Sequence, residues 1–514
     1  MLANSFASPQ VGTNKSDLLG TPLPNVTHAV SVNMPRWHDI VAYEEGDPAV
    51  HERLQSGYPR FVFHPIVDQL FRHYERCFAC TEQEQAIVLV TQRAANRCQE
   101  FLSQAGFRDT RIEPCQVNDL FAVIYPKEAA RTAKAFWQHT GWIVSSRCAE
   151  AILSGRGEIT FDDSIVLRTR IASYAGVLQD SLTLFPSGMA AIDTAHQILL
   201  ALASERGATG KGVQYGFPYL DTLKLQERFG GGVQLLARAD AEDLRLLAEL
   251  VAVGRVSHVF TEVPSNPLLQ TPHLAALSSI LRPRGIPLVV DDTIGTFFNV
   301  DVAPFADIVV TSLTKFISGG GDVAAGSLIV SPASPLAPTL ASLRDVIAPR
   351  SSYLFGDDAE VLFKNSADFA ERMARINVNA ELLVQYLSEH PLVQTVYYPK
   401  SSKGNEYELL RKQEGGYGGL LSITLKDAAH TAPRLYDALS CSKGPGLGTS
   451  FTLACPYTLL AHYGELDWAE EQGVSRHLIR VSVGIEDPKQ IIALFDRALK
   501  QAQQRTTVGL EGAA

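Results

Sequence analysis

Between residues 161 and 345 the chain alternates short runs that are apolar on both faces with amphipathic helical stretches. Val259-Phe260, Leu288-Val289-Val290 and Ile308-Val309-Val310 have no polar side to turn toward water. Such strands need cover on both faces, which crossover helices supply when the sheet is parallel. Leu274 to Leu281 reads as one of these helices. The expected fold class is therefore α/β with a mostly parallel central sheet. Ligands on such sheets sit outside the carboxyl ends of the strands. The residues that follow each apolar run are thus the first candidates for chemistry.

Two of those strand ends carry unusual groups. Leu288-Val289-Val290 runs into Asp291-Asp292, and Ile308-Val309-Val310 into Thr311-Ser312-Leu313-Thr314-Lys315. A strand-end amine, hydroxyls beside it and a carboxylate on a neighbouring strand are the parts needed to hold pyridoxal phosphate. The amine forms a Schiff base, the hydroxyls bind phosphate, and the carboxylate pairs with the pyridinium nitrogen. Taken alone, either segment is equally a solvated strand end.

Four further segments bear on the choice. Leu182 to Ile192 reads as a strand, a proline turn and Ser187-Gly188-Met189 opening a helix, which is phosphate-binding geometry or a plain turn. In Tyr215-Gly216-Phe217-Pro218-Tyr219, Tyr215 could stack on a cofactor ring or carry a proton, or belong to the core. Asn266, in the strand-end turn Glu262 to Leu268, could donate its amide to a phenolic oxygen, or simply shape the turn. Arg480 lies in the apolar strand Leu478 to Val483. Burying a guanidinium is costly without an anion, either an amino-acid carboxylate or an internal Asp or Glu.

With 514 residues the chain is long enough for two to four domains. Its net charge of −10 and lack of Lys/Arg blocks argue against a nucleic-acid partner. No apolar run approaches the roughly 18 residues that span a bilayer. Met1 to Phe6 lack a basic region followed by an apolar stretch, so no secretory signal is expected. Seven cysteines in a chain of this size do not suggest a disulfide scaffold. Cys77-Phe78-Ala79-Cys80 has CxxC spacing without a matching second pair, so no metal site is expected. The expected compartment is cytoplasmic.

The organisation expected is an N-terminal arm over 1–65, its first twenty or so residues disordered, then a small α/β insert over 66–160. The insert should hold strands at 86–90 and 121–125 and helices at 92–102 and 128–137. A large domain over 161–345 and a smaller α+β domain over 346–514 complete the chain. The latter should carry a long helix over 368–390 and strands at 393–398, 420–425 and 478–483.

In chain order, Tyr58-Pro59-Arg60, Ser187-Gly188-Met189, Tyr215-Gly216, Pro264-Ser265-Asn266-Pro267, Val290-Asp291, Ser312-x-Thr314-Lys315 and Arg480-Val481-Ser482-Val483-Gly484 together resemble the Cys/Met-metabolism family of pyridoxal phosphate enzymes. Within it the chain is most similar to fungal cystathionine γ-synthases, through His28 to Val32, Tyr43-Glu44-Glu45-Gly46, Leu447-Gly448-Thr449 and Leu459 to Tyr463. The resemblance implies fold type I, the aspartate-aminotransferase-like fold. It makes Lys315 the Schiff-base lysine and proton carrier, and Asp291 the partner of the ring nitrogen. Ser187, Gly188, Met189, Ser312 and Thr314 would bind phosphate, with Tyr58 and Arg60 of a neighbouring subunit in a homodimer or homotetramer. Tyr215 would stack on the ring, Asn266 would contact the cofactor, and Arg480 would clamp the substrate carboxylate. The implied reaction is γ-substitution on an O-acyl-L-homoserine through a vinylglycine-type intermediate, with a thiol such as cysteine as nucleophile. The alternatives are a β-keto acid as carbon nucleophile, γ-elimination, or a cofactor-binding protein without turnover. The sequence departs from the family at Gly446, Asp292 and the glycine-rich Gly319-Gly320-Gly321. Small residues there suggest room for a bulkier nucleophile.

Overall fold

The computed structural model describes residues 15–57, 62–117, 119–156, 161–162, 165–401, 404 and 406–504. The arm residues Tyr58 and Arg60 lie outside them. Residues 15–57 pack on the chain's own carboxyl-terminal unit. Helix α1 (Trp37–Glu44) opens with the Asp39 carboxylate accepting from the Arg36 amide. The Trp37 amide donates to Asp437 Oδ1 at 2.8 Å, and the Tyr436 hydroxyl donates to the Met34 carbonyl at 2.6 Å. Val32, Met34 and Ile40 are buried in that unit's core. The disorder expected over the first twenty residues does not extend to 15–20. Lys15–Leu18 is helical, Leu19 is buried, and the Gly20 amide donates to the Asn33 carbonyl at 2.9 Å.

The next unit follows the expected α/β pattern: α2 (Pro65–Cys77), β1 (Glu84–Val90), α3 (Gln92–Gln104), β2 (Arg111–Pro114), β3 (Leu120–Pro126) and α4 (Ala130–Thr140). The strands form an antiparallel sheet in the order β1-β3-β2. Strand β2 was not legible in the sequence, because it is short, half-exposed and ends in proline, as edge strands do. This unit has no separate core. Leu70, Phe71 and Phe136 belong to one apolar cluster with Ile198, Phe260 and Ile308 of the large sheet. A buried ion pair joins the two parts. Arg97 on α3 donates through both terminal nitrogens to Asp193, at 2.5 and 2.9 Å. Trp142 Nε1 and Gln197 Nε2 complete the Asp193 shell, and its side chain is fully buried.

The large sheet has seven strands. They are β4 (Leu182–Phe185), β5 (Lys211–Tyr215), β6 (Val233–Leu236), β7 (Val256–Glu262), β8 (Leu288–Asp291), β9 (Ile308–Ser312) and β10 (Gly326–Val330). Their order is β4-β10-β9-β8-β7-β5-β6. β10 runs antiparallel to both its neighbours, while the other adjacent pairs are parallel. Alternate residues feed opposite cores: Phe260, Val289 and Val310 one face, Val259, Val290 and Val309 the other. Helix α5 (Gly188–Glu205) follows β4, and α6 (Leu220–Arg228) follows β5.

The carboxyl-terminal unit combines α7 (Phe369–Glu389) and a five-stranded sheet, closed by α8 (Pro488–Gln503). The strands are β11 (Val393–Tyr397), β12 (Leu420–Leu425), β13 (Ser442–Lys443), β14 (Leu453–Pro456) and β15 (Ile479–Ser482), in the order β11-β12-β15-β14-β13. Strand β15 is central, which is why Arg480 is buried.

Replacing Arg97 with alanine strips the buried Asp193 carboxylate of its cation. The variant is expected to lose about 3–5 kcal/mol of stability, because removing one partner of a buried pair leaves an uncompensated charge. Denaturant unfolding of the variant beside the wild type measures this.

Candidate active site

The carboxyl ends of the parallel strands open into one cavity. Register brings their last residues side by side: Glu262 of β7 pairs with Asp291 of β8, and Asp291 pairs with Val310 of β9. Of the residues singled out in the sequence, Ser187, Gly188, Met189, Asn266, Asp291, Ser312, Thr314, Lys315 and Arg480 all line this cavity. The carboxyl-terminal unit adds Pro445, Leu447, Cys455, Tyr457, Leu460 and Ala461.

Tyr215 does not reach it. It is the last residue of β5, buried in the core, with its hydroxyl donating to the Asp240 carbonyl at 3.3 Å. The expectation that Tyr215 stacks on a cofactor ring is therefore not met by its position; the tyrosine of this motif that borders the cavity is Tyr219. The distinction was available in the sequence. Of the two tyrosines in the motif, the one beyond the strand end faces the ligand edge.

The N-terminus of α5 points into the cavity. The Ser187 hydroxyl caps it, accepting from the Ala190 amide at 3.1 Å and donating to the Gly141 carbonyl at 2.7 Å. The amides of Gly188 and Met189 precede the first intrahelical bonds. Gly188 is bare of necessity, since a Cβ there would lie 2.7 Å from the Ser312 Cβ. Thr314 is tied to Ala325, donating to its carbonyl at 3.2 Å and accepting from its amide at 2.9 Å.

Arg480 is buried against neutral groups. Its guanidinium donates to Asn266 Oδ1 at 3.2 Å and to the carbonyls of Pro445 and Gly446 at 2.9 and 3.0 Å. The Tyr457 ring lies 5.1 Å from its central carbon. Among the described residues no carboxylate pairs with it. With Oδ1 on Arg480, the Asn266 amide nitrogen remains as a donor.

The acids at the strand ends are strained electrostatically. Burial pushes Asp291 up to about 6, partly offset by the Thr293 hydroxyl and amide. Burial, with the Asp291 charge beside it, holds Glu262 well above the usual carboxylate range. Asp292 is turned from the cavity to accept from the Thr311 hydroxyl, and burial pushes it up to about 7.

The comparisons agree with this geometry. A family model described as Cys/Met metabolism PLP-dependent enzyme matches residues 163–500. Another, described as fungal trans-sulfuration enzyme, N-terminal domain, matches residues 66–145. The chain belongs to the Cys/Met-metabolism family of PLP-dependent enzymes. Cystathionine gamma-synthase of Neurospora crassa is 34% identical, over 95% of this chain and 99% of its own. A cystathionine gamma-synthase-like enzyme of Amanita muscaria is 32% identical, over 96% of this chain and 98% of its own. The metB structure from Corynebacterium glutamicum has a TM-score of 0.55 at 24% identity, covering 65% of this chain and 84% of that one, and shares the fold.

The residues present fit this family's cofactor. A lysine for the aldehyde, a carboxylate for the ring nitrogen and a helix N-terminus for the phosphate face one cavity. The glycines thought to widen the site do not border it. Gly319 backs onto Arg372, where a Cβ would lie 2.5 Å from Nε, and Gly446 backs onto Leu453. Arg372 donates to the carbonyls of Phe316, Ile317 and Ser318, at 2.8–3.2 Å, so Gly319 lets a buried arginine clamp the lysine loop. Nothing in the sequence pattern signalled Arg372, or the cavity residues Gln138, Gly141 and Asp221.

The Asp292 shift has a sign that can be tested. Folded, its carboxyl keeps the proton up to about pH 7; the ordinary value is 3.8. The folded state therefore binds more protons across that window, and the associated stability, full below it, is lost as pH rises through 7. Asp292→Asn should stabilise the cofactor-free protein at pH 8 by ~1 kcal/mol or more, and less at pH 5. Thermal melts across pH decide it, and a pH-independent gain would exclude the charge as cause.

Proposed function

We propose that the protein catalyses γ-substitution on an O-acyl-L-homoserine, with a thiol such as cysteine as the incoming nucleophile. The observation that carries the proposal is the buried guanidinium of Arg480, whose described partners are all neutral, in the same cavity as Lys315. An α-amino acid brings the carboxylate that this guanidinium lacks, and a two-point pair fixes the substrate's orientation. The cystathionine gamma-synthase relative supports the same reaction class.

Bound in this cavity, pyridoxal phosphate supplies an electron sink that acidifies the substrate's Cα and Cβ protons. Asp291 would hold the ring-nitrogen proton, Tyr219 would cover a ring face, and the α5 N-terminus with Ser187, Gly188, Met189, Ser312 and Thr314 would receive the phosphate. Asn266 offers its amide nitrogen. The Lys315 amine would remove the Cα proton, pass it to the conjugated cofactor–substrate system and, a free base again, remove one from Cβ. The Cγ–O bond would then break, its electron pair leaving on the acyl carboxylate. The thiol would give its proton to solvent and bond through sulfur to Cγ, Lys315 would return its proton to Cβ, and the first proton would come back to Cα by way of the same amine. Apolar groups such as Leu447, Leu460 and Ala461 keep water from the reacting carbons.

The lining favours a neutral acyl group. Beyond Lys315 and Arg480, its ionisable side chains include the carboxylates of Asp221, Glu262 and Asp291. Among the described residues a succinyl carboxylate would find no third cation, whereas an acetyl ester brings no charge. A β-keto acid nucleophile, or elimination, would use the same first half-reaction. The carbon-nucleophile alternative loses the support of Gly446 and Gly319–Gly321, which do not line the cavity. Self-association, with Tyr58 and Arg60 of a second copy at the phosphate, belongs to the same proposal.

The deciding experiment is mass spectrometry of products from purified enzyme given O-acetyl- or O-succinylhomoserine with a panel of thiols and β-keto acids. Cystathionine from O-acetylhomoserine and cysteine is the expected product. Unchanged acyl esters in every mixture would exclude the reaction. Lys315→Ala should abolish turnover and covalent retention of cofactor, whereas Arg480→Ala should weaken amino-acid binding by about 2–5 kcal/mol. Equilibrium binding of a non-reactive amino acid separates the two effects.

A further inference from the structure

Gln138 and Gly141 line the cofactor cavity, yet they belong to the amino-terminal α/β unit, outside the segment matched to the family's catalytic part. They lie at the end of α4, which closes with Gly141 in a left-handed conformation (φ 69°). This end touches the site at two points. At the first, the Gly141 carbonyl accepts the Ser187 hydroxyl that caps α5. The approach is so close that a Cβ on Gly141 would fall 2.3 Å from Ser187 Oγ, 2.6 Å from Met189 Cβ and 2.7 Å from the Ala190 nitrogen. Only glycine satisfies both the backbone angle and the space.

At the second point, Gln138 Nε2 donates to Asp221 Oδ1 at 3.0 Å, and His139 Nδ1 lies 3.2 Å from the same oxygen. Asp221 is buried in the first turn of α6, two residues beyond Tyr219, and also borders the cavity. Its carboxylate therefore ties the α6 start, and with it Tyr219, to the amino-terminal unit. The Arg97–Asp193 pair on α5 gives that unit a fixed seat.

We propose that the 138–141 segment is a positioning element of the cofactor site: Gly141 sets the phosphate cradle at the α5 N-terminus, while Gln138 and His139, acting through Asp221, set Tyr219 against the ring. The amino-terminal unit is then a working wall of the active site. This rests on the assignment of the cradle to phosphate and of Tyr219 to the ring.

The test is reconstitution of apoenzyme with pyridoxal phosphate, followed by visible absorbance and by circular dichroism of the bound cofactor's band. Gly141→Ala should weaken cofactor affinity about tenfold or more, the scale on which supporting contacts act. The double variant Q138A/H139A should change the sign or intensity of the dichroic band, since that reports ring tilt, and weaken binding as well. Its apoenzyme should melt within about 3 °C of wild type. If it does not fold, Gln138→Glu, which sets a second carboxylate beside Asp221 at unchanged size, gives the same readouts. Arg111→Ala breaks a pair with Glu84 elsewhere in the unit and should bind cofactor as wild type does. Equal loss in that control would overturn the proposal, as would wild-type affinity and dichroism in the 138–141 variants. Gly188→Ala separates the underlying assignment. If it binds as wild type, the cradle assignment fails. If it loses affinity while the 138–141 variants do not, only the positioning role fails.

Discussion

The guanidinium of Arg480 is satisfied as a hydrogen-bond donor but not as a charge. An amide oxygen, two carbonyls and an aromatic ring surround it. A cation–π contact is worth about 0.5–2 kcal/mol, and an ion's burial costs several kcal/mol. Neutral neighbours thus leave a deficit that an anion would remove. Across the cavity the imbalance is reversed. Glu262, buried, and Asp291, half-buried, are neighbours in register, and both are held above their ordinary pKa. On the proposed function, a positively charged ring nitrogen would relieve that repulsion just as a substrate carboxylate would relieve Arg480. The protein's own groups leave two opposite electrostatic imbalances in one cavity, and a cofactor–amino-acid pair would offset both.

Keeping those charges apart at fixed positions is the work of the fold. Asp291 and the approach to Lys315 come from strand ends of the large sheet, while Arg480 comes from the central strand of the smaller one. Neither sheet alone encloses the cavity. Two contacts hold them in register. Arg372 on α7 grips three consecutive carbonyls after Lys315. The Gly448 amide donates to the Ser482 hydroxyl at 2.8 Å, two residues from Arg480, and a Cβ on Gly448 would lie 2.9 Å from the Lys315 Cα. The lysine loop and the arginine strand are thus packed directly against each other, as the proposed clamp on one end of a substrate and base at the other would require.

Much of this was readable because the site sits where apolar strands stop. Asp291, Ser312, Lys315 and Asn266 each follow a run that has to be buried, so the strand-end rule finds them without any fold in hand. Tyr219 was missed by four positions, since the motif offered two tyrosines and the strand boundary decides between them. The glycines at 319–321 were misread for a different reason. Small size invites the inference of space, yet here the space is filled by side chains distant in sequence: Arg372 at Gly319, Asn365 at Gly320, and Pro24 with Thr449 at Gly321. Gln138, Gly141 and Asp221 left no local trace at all. Their role depends on the amino-terminal unit packing against α5 and α6, which no spacing encodes.

That packing also ties the amino-terminal unit to the stability of the rest of the chain. The C. glutamicum structure covers most of its own length but only 65% of this chain, and the family's catalytic match begins at residue 163. Residues 66–145 thus lie outside the family's catalytic match and are matched by a separate model. In this chain, however, the unit supplies the cation for a fully buried Asp193 and the acceptor for the capping hydroxyl of α5. Stripping a buried polar group of its partner costs about 1–3 kcal/mol, and more for a charge. Both losses would fall on the helix whose first turn faces the cofactor. The unit is thereby bound to the site's geometry, because the helix it shields carries a carboxylate and a cap whose partners it supplies.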